Sequence, residues 1–157
     1  MAKYRETRNL QSSIIDYLKD KSDDDWKSIP VEMYLTFKDV KIPSITVAVT
    51  DTDIHKREIG SGKNLKFPVV TIRIFSNSEG LRMDLANWIE SELEHNIPYY
   101  KYQIEDGRIV AKELSGNIAI YGKIKSEKEL ANSDPEILAV EDRYRHRIEF
   151  SVFVGKS

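Results

Sequence analysis

The residues most able to do chemistry are scattered along the chain. Gly60-Ser61-Gly62-Lys63 is the nearest approach to a phosphate loop, in which glycine N–H groups and a lysine cradle an anion. Such a loop needs glycine five positions before Gly62, where Arg57 stands, and Ser or Thr after the lysine, where Asn64 stands. A strand pattern follows it, so no helix N-terminus would face the phosphate, and the stretch reads as a hairpin tip. Asp51 and Asp53 alternate and would share one face of a strand. No histidine or further acid stands at a spacing that would complete a catalytic divalent-metal site with them. Asp106 with Glu127-Lys128 loosely matches the acid and Glu-x-Lys order of restriction-type nucleases, but its second half falls in an expected loop. No catalytic residue, metal ligand or cofactor site is expected from these patterns.

His55, His95 and His146 fall in a charged hairpin, at a helix end and in a strand. Neither a His-x-x-x-His pair nor a Ser-His-Asp order is present to link them. Arg143, Arg145 and Arg147 alternate into the last strand and share a face. Three readings stay open for them: contact with a DNA backbone, pairing across a subunit contact with acids such as Asp23, Asp24 and Asp25, or a solvated sheet face. Tyr99, Tyr100 and Tyr102 could stack bases, yet without a basic surround they better suit a core edge or a protein interface.

The elements that must position these residues follow from periodicity. Residues 4–19 place Leu10, Ile14, Tyr17 and Leu18 at helical spacing, and Asp23, Asp24 and Asp25 then read as an acidic turn. Val31 to Phe37, Ile45 to Val49 and Phe67 to Phe75 alternate with period two and most simply form an antiparallel sheet. Ser76 and Glu79 stand at capping-box spacing before a second helix with the stripe Leu81, Leu85, Trp88, Ile89 and Leu93. Asp106-Gly107 is a hairpin turn, 118–124 alternate again, 125–143 read as irregular, and Ile148 to Val154 form a last strand.

At 157 residues without cysteine, the chain fits one domain, 1–157, with neither disulfides nor thiolate metal sites. Acids outnumber bases 26 to 24, whereas a protein that grips phosphates carries a basic excess. The N-terminus has no apolar leader, and no run is long enough to span a bilayer, so no membrane partner is expected.

Arg57-Glu58-Ile59-Gly60-Ser61-Gly62-Lys63 followed by FPVVTIRIFSNSEGLRMDLANWIESEL, with IPSITV before and YRHRIEFSVFVG at the end, resembles the tail-completion or tail-terminator proteins of the neck of tailed bacteriophages. The resemblance implies an α+β fold, a mostly antiparallel β-sheet with two helices packed on it and a long β-hairpin arm. It implies a structural virion protein, not an enzyme, made in the host cytoplasm. As a homo-oligomeric ring, usually a hexamer, it would cap the tail tube, end tube polymerisation and meet the head connector or stopper, with the sheath as a further neighbour. DNA would pass through the lumen without sequence recognition. On this reading Arg57, Glu58, Gly60, Gly62, Lys63, Arg143, Arg145 and Arg147 are the interface candidates. Another tail or connector component, and a small metal-dependent hydrolase or nuclease using Asp51 and Asp53, are the alternatives.

Overall fold

The computed structural model describes residues 6–26, 32–34, 43–56, 64–129 and 144–156, with the backbone alone for 32–34, 51–56, 64–66, 129 and 156. Along these the chain forms helix α1 (Glu6–Asp25), strands β1 (Glu32–Tyr34), β2 (Ser44–Lys56) and β3 (Asn64–Phe75), helix α2 (Glu79–Glu92), and strands β4 (Ile97–Glu105), β5 (Arg108–Glu129) and β6 (Arg145–Lys156). The strands join in one sheet of order β1-β2-β3-β6-β5-β4. An α+β chain dominated by an antiparallel sheet is thus what the alternating runs build.

One pairing departs from expectation. β1 runs parallel to β2, with Glu32 opposite Ser44 and Tyr34 opposite Thr46. Each extended residue spans roughly 3.3–3.6 Å, so residues 35–43 hold ample chain to return along so short a strand, and a tight hairpin is not required.

The core lies on one face of the sheet. Ile45, Val47, Val70, Ile72, Ile74, Ile118, Ile148, Phe150 and Val152 pack against Leu10, Ile14 and Leu18 of α1 and Leu85, Ala86 and Ile89 of α2. Period-two alternation delivers the first set to one face and helical spacing delivers the second to one stripe. α1 touches β4 at one end of the strand order and β1 and β2 at the other. The sheet therefore curls, and α1 spans the gap between its edges.

Polar residues of α1 also seal the β4 edge. The Ser13 hydroxyl oxygen accepts from the Tyr100 N–H at 2.9 Å, and Asn9 Oδ1 accepts from the Tyr102 N–H at 3.2 Å. Both side chains are buried. A bare strand edge would otherwise leave these donors without partners.

Asp23, Asp24 and Asp25 belong to the last turn of α1 instead of forming a turn after it. Carboxylates at the negative end of a helix dipole are unfavourable, which is why the sequence reads as stopping earlier. Tertiary contact outweighs that cost: Trp88 Nε1 donates to Asp25 at 2.9 Å, and Trp26 meets Trp88 edge-on at 6.1 Å.

The start of α2 also shifts. Ser78, not Ser76, is the N-cap, its hydroxyl accepting from the Leu81 N–H at 3.2 Å. Ser76 instead donates to the Ser78 carbonyl at 2.9 Å, with the Tyr144 carbonyl within reach at 3.2 Å. Glu79 is drawn to Arg82 and Lys128 and takes no part in a capping box.

Two bulges flank one rung of the sheet. In β2 the ladder slips between Val49 and Asp51, beside Val70. In β5 it slips between Tyr121, opposite Ser151, and Lys125, opposite Glu149, beside Phe150. Val70 pairs with Phe150, so the extra residues sit at the same level on either side, where bulges bend and twist their strands. Gly122 supplies the turn in β5 with φ +78°, a region costly for a side chain.

Candidate functional site

The most organised polar cluster among the described residues lies where the start of α2 meets β5 and β6. Arg82 and His146 are both buried there, and Arg82 Nη1 stands 2.5 Å from His146 Nδ1. A guanidinium can only donate. Nδ1 is therefore the acceptor, and the proton sits on Nε2, which donates to Ser126 Oγ at 2.6 Å. Burial first, and then the Arg82 charge, hold the His146 pKa below its ordinary value, so the ring is neutral.

A serine beside a histidine suggests a nucleophile and its base, but the third member reverses the chemistry. In a catalytic triad a carboxylate accepts from Nδ1, leaving a lone pair on Nε2 to take the serine proton. Arg82 forces the opposite tautomer, so Nε2 has no lone pair to offer. The cluster fastens elements together. Glu79 completes it, accepting from Arg82 and, at 3.0 Å, from Lys128. These two cations, Arg82 first, hold its carboxyl below the usual range.

Spacing along the chain does not reveal this cluster, because 125–143 read as irregular and Ser126 falls inside that range. One signal is present: Arg82 precedes Leu85, Ala86 and Ile89 at helical spacing, a charge on the buried stripe that needs partners. Glu127 and Lys128 likewise lie in β5 and not in a loop. Glu127 is paired with Arg147 and Lys128 with Glu79, while Asp106 sits in the turn at the far end of β5. The nuclease-like pattern therefore never converges.

Arg145 and Arg147 share the face opposite the helices, as their alternation implies. Arg145 lies over the Phe75 ring at 5.0 Å, and Arg147 is paired with Glu127. The Arg147 salt bridge, first among the causes, holds the Glu127 carboxyl below the usual range. Arg73 stands directly opposite Arg147 across β3 and β6. The remaining interface candidates, Arg57, Glu58, Gly60, Gly62, Lys63 and Arg143, lie outside the described residues. Asp51, Asp53 and His55 are placed only as backbone of β2. His95 is exposed after α2. Among the described residues no three His, Cys, Asp or Glu side chains gather to hold a metal.

The tyrosines are the edge of the core. Tyr99 is buried, Tyr102 donates to Asp16 at 2.5 Å, and Tyr100 lies under the Lys112 ammonium at 4.5 Å. Burial and then the Asp16 contact raise the Tyr102 pKa. On the helix-free face, Phe67 stacks on Tyr121 at 4.3 Å with Phe153 at 6.1 Å. Beside that stack the level of the bulges forms an open groove of about 470 Å³, lined in part by Thr50, Lys123, Lys125, Glu149 and Ser151.

Compared with known proteins, the sequence matches no family model and no curated relative, so the reading below rests on this chain's own residues.

Proposed function

We propose that this chain is a structural part of the neck of a tailed phage, a terminator that forms a ring on the end of the tail tube and offers a surface to the head connector. The likeness of residues 57–93 and of the last strand to that family supports the reading, and so does the sheet carrying two helices. The observation that carries it is the β2–β3 hairpin. Its ladder runs from Ser44–Phe75 out to Lys56–Asn64, whereas β6 accompanies β3 only from Phe75 to Val69. The outer part of the hairpin is thus an arm with no strand beside it on the β6 side among the described residues. Arms of this kind can reach a neighbour without disturbing the core.

Each copy would meet the next through unlike patches, and a rotation that closes yields a ring. Native mass measurement and electron microscopy of the purified protein test this, with a closed ring as the expected result. Removing residues 60–64 should leave a folded monomer that no longer assembles; normal rings from that deletion would refute the role given to the arm. Open tubes would favour the second reading, a tube component. Thermal melts with and without manganese test the hydrolase alternative, and a metal-induced rise in Tm would favour it.

A further inference from the structure

The outer half of the β4–β5 hairpin presents a strand edge that no element occupies among the described residues. β6 accompanies β5 only from Gly116 to Glu129, so among the described residues Arg108 to Leu114 pair with β4 alone. The residues from Arg108 to Leu114 are all exposed, and three of the chain's exposed large apolar side chains, Ile109, Val110 and Leu114, are here.

The direction of the free groups follows from α1. Because the Tyr100 and Tyr102 N–H groups donate to Ser13 and Asn9, they point away from β5. Their partners across the ladder are Leu114 and Lys112. Opposed residues of an antiparallel pair point their backbone groups the same way relative to the ladder. The N–H and C=O of Lys112 and Leu114 therefore face outward, ready for another strand. The opposite edge of the same hairpin is sealed by α1, and this one is open among the described residues.

Two copies are discouraged from pairing here edge to edge. An antiparallel two-fold match opposes outward residues to outward ones, so its axis passes through a residue that then faces itself. Near the middle of the edge that residue is Lys112 or Glu113, which sets like charges directly opposite, or Ala111, which sets Glu113 against Ile109 and Leu114 against Arg108 with no favourable pair. Arg108 and Lys112 outnumber Glu113 along this edge, so a strand with carboxylates is favoured instead. Asp51 and Asp53 are alternate residues in the outer half of β2, and among the described residues its pairing with β1 ends at Thr46. The strand order sets β2 three places from β5, so only another copy can bring it there.

We propose that the free edge of β5, Arg108 to Leu114, takes the outer strand of the β2–β3 arm from a second copy, extending the sheet head-to-tail. This rests on the ring reading and names its contact.

Amide hydrogen exchange compared at assembling and dilute concentrations tests it. The Leu114 and Lys112 amides should slow by roughly tenfold or more on assembly, while those of Ala111 and Glu113, already turned toward β4, change little. Leu114→Pro, which removes an outward donor only, should abolish assembly where Leu114→Ala weakens it less. Asp51→Lys with Asp53→Lys should weaken assembly as well. Rings whose Leu114 amide exchanges as fast as in the monomer overturn the inference and leave the ring reading standing. A wild-type chain that stays monomeric at high concentration overturns the ring reading itself.

Discussion

A proton arriving on His146 must take the Nδ1 lone pair and so displace the Arg82 N–H that donates to it. Glu79 and Glu90 of α2 and Glu127 of β5 favour the charged ring, but burial and the nearer guanidinium dominate, with Lys128 adding a further cation close by. The folded pKa is therefore lowered, and the unfolded chain, with an ordinary imidazole, takes up the proton first. The stability this group confers is complete above about pH 6.5 and is lost as the pH falls below it toward the folded value. Urea unfolding across a pH series should show that decline, and His146→Leu should lack it while retaining the carboxylate-driven losses at lower pH. The same substitution leaves Arg82 buried without its acceptor and should cost about 1–3 kcal/mol at pH 7. Tyr17, pushed up to about 12 by burial and its bond to Glu92, stays protonated throughout this range.

At the scale of elements, α1 does two jobs with two stripes. Leu10, Ile14 and Leu18 fill the curl of the sheet, while Asn9 and Ser13 stand in for the missing neighbour of β4. Ser13→Ala should therefore cost about 1–3 kcal/mol, because the Tyr100 N–H loses its acceptor in a buried setting. Exchange at that one amide should quicken ahead of its neighbours. Ile14→Ala acts through the other stripe and should cost about 2–5 kcal/mol by opening a cavity. The apolar stripe was legible in the sequence because helical spacing fixes it, and so were the alternations of β2, β3 and β6. The edge-sealing stripe was not, since Asn9 and Ser13 look like any solvated helix face until β4 is known to lie beneath them. The length of β5 was hidden for a related reason. The polar run after Ile124 imitates a loop, and only Arg147, His146 and Glu79 on other elements show why Ser126, Glu127 and Lys128 remain in a strand.

For the whole molecule the charge balance becomes decisive. With 26 acids against 24 bases, the proposed ring would carry a net negative charge that grows with every copy. On the helix-free face the charge of Arg147 is matched by Glu127, while Arg145 lies over the Phe75 ring. Each phosphate held by a protein releases counterions, so tight DNA binding needs unneutralised cations in number. The terminator proposed above has the opposite requirement, since DNA would have to pass through its lumen without being held. Fluorescence anisotropy with a non-specific duplex at physiological salt should accordingly show no saturable binding below roughly 0.1 mM, the weak end of the non-specific range. Micromolar affinity with a steep salt dependence would mean that a basic surface, beyond those seen here, faces the DNA. The protein would then be gripping nucleic acid, and the lumen of the proposed ring could not be the passive channel that a tube terminator requires.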